Sequence, residues 1–349
     1  MPLALLAACG LPTDVPKSPI LDLRWVVPSQ STRITVDNLL PLNGAVKVLL
    51  DSSGFSVTVP AASVTRSLSQ DCAPCVAANG LVAPKPAFIV STSTSTALPA
   101  EIVSSTLLAG GANSPSLRVT VNNGYTFDPL YPNPSAGTPT GSAVITVSNG
   151  STVLGRDSVN GATTRLPAGG TLTRNIPLSG TISGSSPVTV SFTVNSPAGE
   201  PVLIDASRSL TVTATPLNIN VASTSVTVTN RAVSSSSTID LAGVDSTISK
   251  RVQNGSLILS IVNPFNVTGA LTVKLTPQGG AAIAKQVTLA PNNSTVTISL
   301  TGPELRSLLG HSVLVSYTGA VNATGPVNVS PRQAVVVTTR LDVALQVGG

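Results

Sequence analysis

The feature that most constrains this chain is the alternation of apolar and polar residues in short segments. It is clearest within residues 257–275, where Leu271, Val273 and Leu275 are separated by single polar residues. A period of two is the pattern of a β-strand that buries one face. Residues 257–262 are almost continuously apolar, and Pro264, which cannot donate a hydrogen bond to a sheet, follows them. The stretch therefore predicts a strand, a turn at which the chain leaves the sheet, and a second strand.

The composition of the whole chain agrees with an all-β fold. Apolar residues are 42% of the 349 residues, enough to form cores. Charged residues are 9%, against about 25% in an average globular protein. Val, Thr and Ser are abundant, and they favour strands and turns over helices. One helical turn is predicted after Thr301, because Thr301 and Glu304 have the spacing of a capping box and Gly310 follows.

The sequence divides into four segments, at residues 1–19, 20–85, 86–216 and 217–349. The last two segments have matching patterns, and we predict that they are two copies of one β-sandwich unit. Three features match: the first strand (88–95 and 217–229), a strongly apolar strand that begins at Leu117 in one copy and Leu257 in the other, and a later turn (166–170 and 289–293). Residues 20–85 are predicted to form a smaller N-terminal β module. Two unrelated units with similar alternation are the alternative to duplication.

The N-terminus reads MPLALLAACG, in which an aliphatic residue and two small residues precede a cysteine. This run, Leu6-Ala7-Ala8-Cys9, resembles the lipobox of bacterial lipoproteins. The resemblance implies that residues 1–8 are removed, that Cys9 receives lipid, and that the proline-rich residues 11–19 form a tether. Several acyl chains on one residue anchor a protein stably. The predicted location is the bacterial cell envelope, periplasmic or surface-facing, with membrane lipid bound through acylated Cys9.

The second copy resembles a known β-sandwich family. Residues 257–275, with Asn263-Pro264-Phe265 after the first strand, are similar to the late-embryogenesis-abundant type 2 (WHy) domain. The resemblance covers one copy and implies an immunoglobulin-like sandwich without catalytic residues. The predicted fold class is therefore all-β, with tandem immunoglobulin-like antiparallel β-sandwich modules and a lipidated N-terminal tether.

Two cysteines, Cys72 and Cys75, remain once Cys9 is assigned to lipid. In an oxidising compartment such a pair is expected to form a disulfide. Free thiols, redox activity or a metal site are the alternatives. A redox-active pair needs its first cysteine at a helix N-terminus, and residues 76–86 look too short and broken to form that helix. We therefore predict a structural disulfide within a loop.

Residues able to carry catalysis are sparse. His311 is the only histidine and follows the predicted helical turn, where a turn or capping role is expected. No Ser–His pair, paired carboxylates, P-loop or dinucleotide fingerprint is evident. The predictions are that the chain is not an enzyme and uses no cofactor and no metal. Its basic residues are scattered and aromatic residues are 3%, which argues against a nucleic-acid partner.

A proline-rich insertion at residues 124–134, absent from the second copy, holds three of the aromatic residues. We predict a partner contact at Tyr125, Phe127, Asp128 and Tyr131, because aromatic rings on a stiff loop suit binding to a protein or glycan. The alternative is that the rings cover the end of their own sandwich.

These features together predict a non-catalytic, lipid-anchored envelope protein. It would be a structural scaffold or an accessory subunit of a membrane-associated complex, for example respiratory or photosynthetic. Its partner would be another envelope or membrane protein. Two alternatives are a cell-surface adhesin or glycan-binding lipoprotein, and a subunit of a filament or surface layer.

Overall fold

The structure, a computed structural model, describes residues 20–40, 44–111, 113–131 and 140–347. Cys9 and the predicted tether lie outside the described residues, as do Pro132 and Pro134 of the insertion. Within these ranges the chain is all-β and built from antiparallel sheets, which confirms the all-β part of the predicted fold class, while the lipidated tether stays a prediction. No helix in the same ranges is long and apolar enough to cross a membrane.

Strands provide most of the regular structure. In the first part of the chain they are β1 (Leu21–Thr35), β2 (Val46–Val48), β3 (Phe55–Val57), β4 (Ala62–Ser67), β5 (Val82–Pro84), β6 (Phe88–Thr96), β7 (Ile102–Leu107), β8 (Ser116–Asn123), β9 (Ser142–Asn149), β10 (Thr152–Asn160), β11 (Thr171–Pro177), β12 (Thr181–Ser183), β13 (Val188–Ser196), β14 (Pro201–Leu203) and β15 (Ser209–Val226). In the second part they are β16 (Arg231–Asp240), β17 (Val252–Val262), β18 (Thr268–Pro277), β19 (Ile283–Leu289), β20 (Ser294–Thr301), β21 (Ser312–Asn322), β22 (Val327–Val329) and β23 (Ala334–Val347). The helices are short: a 3₁₀ helix at Val36–Leu39, α1 (Leu68–Asp71), α2 (Ala73–Ala77), α3 (Ser246–Lys250) and α4 (Gly302–Leu308).

Two β-sandwiches share one strand order. In the first, one sheet runs β10-β9-β13-β6, and the other contains β11-β8-β15 with β4 on the far side of β15. In the second, the sheets run β19-β18-β21-β16 and β20-β17-β23-β1. Inward-facing side chains fill both cores, among them Val119 and Phe192 in the first and Leu259 and Tyr317 in the second. Each of these eight strands therefore has a counterpart at the same place in the other sandwich.

The correspondence differs from the prediction at the first strand of each copy. The counterpart of β6 is β16, whereas the sequence pattern placed it at residues 217–229. Residues 217–226 instead continue β15, which shifts register between Pro216 and Asn218 and then pairs with β3, β7 and β22. The predicted boundary at residues 216/217 thus falls inside a single strand. Both segments are Val, Ser and Thr alternations, so the local pattern did not distinguish them.

Residues 20–85 also differ from the prediction, because they do not form a sheet of their own. β1 pairs with β23 from Leu21–Val347 to Thr35–Ala334, apart from a bulge between Val27 and Gln30. β4 pairs with β15 in the first sandwich, while β2 and β3 extend the sheet at the later part of β15. The N-terminal segment therefore completes one sheet of each sandwich.

A buried asparagine fixes the corner that follows β17 in the second sandwich. Asn263 follows β17, and its Nδ2 donates hydrogen bonds to the carbonyl oxygens of Val267 (2.7 Å) and Ala290 (2.9 Å). β17 and β18 lie in different sheets, so the chain does leave the sheet at Pro264, as predicted. The amide holds this crossover against the turn before β20.

The first sandwich has the same device. Asn123 ends β8, and its Nδ2 donates to the carbonyl oxygens of Phe127 (2.8 Å), Leu166 (2.8 Å) and Pro167 (3.0 Å). Its Oδ1 also accepts a hydrogen bond from the backbone N–H of Tyr125. The sandwich without the Asn-Pro pair therefore keeps the asparagine contact that closes the corner.

The predicted helical turn is confirmed as α4. The Thr301 hydroxyl accepts a hydrogen bond from the backbone N–H of Glu304, and the Glu304 carboxylate accepts one from the backbone N–H of Thr301. Gly310 follows with a φ of 81°, in the left-handed region that favours glycine. Both ends of the helix thus obey the local signals in the sequence.

Replacing either buried asparagine should destabilise the protein. Asn263→Ala leaves a buried carbonyl oxygen of Val267 and a part-buried one of Ala290 without their donor, and we expect a loss of about 2 kcal/mol in the free energy of unfolding. Asn123→Ala should cost more, because three carbonyls lose a donor. Urea denaturation measures the change, with Asn293→Ala in the exposed turn beside Ala290 as the matched control. Unfolding free energies equal to that of the control would contradict the proposed role of the amides.

Candidate functional site

The predicted aromatic contact segment lies at the closed end of the first sandwich. Tyr125 and Phe127 are only 1% and 5% exposed. Both rings pack edge-on against Phe88 of β6, with centroids 6.3 Å and 6.1 Å away. The prediction that these two rings contact a partner is wrong, and they cover their own core. Tyr125 occupies the position that buried Phe265 takes in the second sandwich, two residues after the corner asparagine.

Asp128 and Tyr131 also serve the loop itself. The Asp128 carboxylate accepts hydrogen bonds from the backbone N–H groups of Leu130 (2.8 Å) and Leu166 (3.0 Å). The half-buried Tyr131 ring is covered on one face by Arg165, whose guanidinium carbon lies 3.1 Å from the ring centroid. Both groups therefore have partners within the chain, and the predicted partner contact at Asp128 and Tyr131 stays a prediction.

Lys85 is the most unusual titratable group at this end of the sandwich. It is 2% exposed, and its ammonium donates hydrogen bonds to the carbonyl oxygens of Tyr131 (2.7 Å) and Asp128 (3.3 Å) and to the Ser196 hydroxyl (3.3 Å). Burial lowers the pKa of Lys85 to about 8. No local pattern indicates this role, since Lys85 lies in the proline-flanked run after the cysteines.

The predicted disulfide between Cys72 and Cys75 is present beside this loop. Contrary to the prediction, a helix does follow Cys72, because Pro74 is tolerated in the first turn of α2. Both sulfur-bearing residues are nevertheless buried, which suits a structural bond. Arg66 and Asp71 form an ion pair at 2.6 Å next to the disulfide.

The buried side chains at this end of the first sandwich hold the loop in place. A lysine with a lowered pKa is a common nucleophile, but the amine of Lys85 is enclosed and bonded to three oxygens. In the ranges that the structure describes, no three His, Cys, Asp or Glu side chains cluster so that they could hold a metal ion. The buried groups thus hold residues 124–131 against the core.

A different surface, which sequence reasoning missed, exposes apolar side chains. It consists of Ile20, Leu21, Leu23, Ile248, Leu345 and Val347, and we call it the terminal surface. Leu21 pairs with Val347 and Leu23 with Leu345, and the next pair on this face, Trp25 with Val343, leads into the core. The β1–β23 ribbon therefore extends past the sandwich and leaves its inner face open at the end.

The terminal surface borders a cleft of about 470 Å³ between β1 and the segment before α3. Leu23, Trp25, Val244, Ile248 and Leu345 line it. Ile20, Leu21 and Leu23 are 60%, 54% and 49% exposed, and Ile248 is 42% exposed. The alternation of Leu21, Leu23 and Trp25 indicated a strand. Nothing in this pattern indicated that the start of the strand would extend beyond the opposite sheet.

Comparisons with known proteins give only distant structural similarities. No family model matches the chain, and no curated protein matches it. A candidate secreted protein from Parabacteroides distasonis is 9% identical over 92% of this chain and 99% of its own, with a TM-score of 0.32. An isomalto-dextranase from Arthrobacter globiformis is 8% identical over 74% of this chain and 36% of its own, with a TM-score of 0.20. The glycosylasparaginase PNGase F from Flavobacterium meningosepticum is 10% identical over 81% and 96%, with a TM-score of 0.20.

The prediction that the chain is not an enzyme is contradicted by these comparisons. Two of the three structures described above are enzymes. At these TM-scores the similarities assign no activity to the present chain.

Substitutions at Tyr125 separate core packing from surface binding. Its hydroxyl is buried without a hydrogen-bond partner among the described residues, so Tyr125→Phe should leave the free energy of unfolding equal or slightly higher. Tyr125→Ala removes a buried ring and should cost about 3–5 kcal/mol. Thermal and urea unfolding measure both variants. An alanine variant as stable as the native chain would contradict the buried position.

The lowered pKa of Lys85 predicts how stability depends on pH. Its ordinary value is 10.5, so between about pH 8 and pH 10 the unfolded chain holds a proton that the folded chain has released. The free energy of unfolding should therefore rise with pH across this window. Above it the trend reverses, because burial raises the pKa of Tyr125 and Tyr317.

Urea unfolding across this pH window tests the assignment. Lys85→Met should abolish the rise, whereas Lys274→Met, at an exposed position on β18, should keep it. A rise of equal size in both variants would show that another group is responsible.

Proposed function

We propose that this chain is a lipid-anchored protein of the bacterial envelope that acts as a scaffold or accessory subunit of a membrane-associated complex. The observation that most supports this proposal is the path of β1. This strand follows the predicted tether directly and pairs with β23 along nearly its whole length. A lipid on Cys9 would thus be joined to a sheet of the second sandwich, and through β15 to the first.

The joined sandwiches suit a rigid spacer. β15 lies in a nine-stranded sheet that contains β8 and β11 of the first sandwich and also β22, a strand of the second part of the chain. Within that sheet the buried hydroxyls of Ser105 and Thr224 share a hydrogen bond of 2.7 Å. Continuous backbone pairing across the junction resists bending better than a loop does. Such a body could hold a partner at a fixed distance from the bilayer.

The buried disulfide supports a location outside the reducing cytosol. Disulfides persist in oxidising compartments such as the periplasm and the cell surface. Cys72 and Cys75 are bonded in the first sandwich, and Cys72 directly follows α1, which contacts β4 and β6. This location is the one that lipidation at Cys9 requires.

Intact mass and detergent partition test the anchor. Native protein should begin at an acylated Cys9 and enter the detergent phase, whereas Cys9→Ser should stay in the aqueous phase. Native material with an unmodified Met1 would contradict the proposal.

Purification from detergent extracts tests the scaffold role. We expect a membrane or envelope protein to co-purify in a fixed ratio. Glycan binding by the isolated chain would favour the adhesin alternative, and spontaneous polymerisation would favour the filament alternative.

A further inference from the structure

We propose that the terminal surface rests on an anionic lipid bilayer and thereby fixes the orientation of the two sandwiches. This inference rests on the proposed lipid anchor, which explains why a bilayer lies near this end of the protein. The surface itself is a separate feature, formed by Ile20, Leu21, Leu23, Ile248, Leu345 and Val347.

The position of the surface along the chain favours a bilayer as the occupant. The described residues begin at Ile20, which is itself part of the terminal surface. Ten residues lie between it and Cys9, and the two are therefore at most roughly 40 Å apart even when the chain is fully extended. No other part of the described chain is as close in sequence to the predicted acyl chains. A bilayer that holds Cys9 is therefore within reach of this end.

The side chains suit the membrane interface. Leu21, Leu23 and Ile248 offer exposed apolar area, which gains free energy by entering the boundary between headgroups and acyl chains. Trp25, the only tryptophan, is half-buried at the rim of the cleft, and tryptophan favours this depth of a membrane. Contact with water gives these apolar side chains no comparable gain in free energy.

The charges nearby favour anionic headgroups. Lys250 and Arg251 are the only adjacent basic residues in the chain; both are exposed, and only Ser249 separates them from Ile248. Arg24 is also exposed and lines the same cleft. Asp342 is buried and bonded to Arg24 and Arg340, so its charge is compensated.

The exposed carboxylates leave a small positive excess. Asp245 accepts a hydrogen bond from the backbone N–H of Thr247 at the start of α3, and Asp22 lies on β1. With Arg340 and Asp342 included, the four cations exceed the three carboxylates by one positive charge. A basic surface next to a lipid anchor is attracted to an anionic leaflet.

Flotation of the full chain with vesicles tests the proposal independently of lipidation. The parent is Cys9→Ser, which carries no acyl chain. It should float with vesicles of phosphatidylcholine mixed with phosphatidylglycerol, and more weakly with phosphatidylcholine alone. Adding Leu23→Ser and Ile248→Ser should weaken binding by about tenfold or more, because exposed apolar area is lost.

Matched variants exclude general effects. Ile89→Ser with Val153→Ser, at positions 59% and 58% exposed on the first sandwich, should leave flotation of the Cys9→Ser parent unchanged. Lys250→Glu with Arg251→Glu should abolish the preference for phosphatidylglycerol without altering the melting temperature. This pair also tests the surface if the serine variant unfolds.

Three results would overturn the proposal. One is a Cys9→Ser parent that binds neither vesicle. Another is a Leu23→Ser, Ile248→Ser variant that binds as tightly as the parent. The third is sedimentation showing that the same variant converts a dimer to a monomer without changing flotation, which would assign the surface to a second copy. None of these three results depends on whether native Cys9 carries lipid. The proposed lipid anchor and the proposed membrane contact can therefore be disproved separately.

Discussion

Antiparallel pairing between the first and last described strands is the constraint on which the rest of the structure depends. β1 and β23 are more than 300 residues apart in sequence, since Arg24 and Asp342 have a separation of 318. Their pairing brings the N-terminal strand and the C-terminal strand to the same end of the second sandwich. It also completes the sheet whose other strands are β17 and β20. Without β1, β23 would present an unpaired edge, which is a site of aggregation.

The free edge of β1 is itself closed against the opposite sheet. The Thr32 hydroxyl donates to the carbonyl oxygen of Ser236 (3.1 Å), and the Ser235 hydroxyl donates to the carbonyl oxygen of Arg33 (3.0 Å). These bonds tie the edges of the two sheets together at β1 and β16. These bonds between the two sheets do not continue to Trp25 and Leu23. At that end the paired strands β1 and β23 contribute to the terminal surface. The pairing of β1 with β23 therefore explains both the closed side of the second sandwich and its open apolar end.

Local signals predicted the parts of the fold that local chemistry determines. A nearly continuous apolar run identified β17, alternation identified β18, Pro264 marked the crossover, and the Thr301 and Glu304 pair identified α4. Pairing between distant segments had no such signal, so the partner of β1 and the identity of β16 were missed. A strand of Val, Ser and Thr fits several neighbours equally well, and only the assembled sheet selects among them.

The candidate site was mispredicted for a physical reason that the structure makes plain. Prolines near Tyr125 and Phe127 suggested an exposed loop, but the buried Asn123 amide folds that loop back over the core. The amide contact could have been inferred from Asn263, which lies at the matching position, had the copies been compared residue by residue. The role of Lys85 could not be inferred from the sequence, because its partners, two backbone oxygens and the Ser196 hydroxyl, come together only in the folded protein.

Hydrogen exchange of the intact chain tests most directly the central claim that the N-terminal strand is an integral part of the second sandwich. Peptides from β1 should be protected to the same degree as those from β4, the strand in the corresponding place in the first sandwich. Fast exchange throughout residues 21–35, with β4 and β23 protected, would show that β1 is not held by the sheet. The tether would then lead to a loose arm, and the account of a lipid joined to a rigid body would fail.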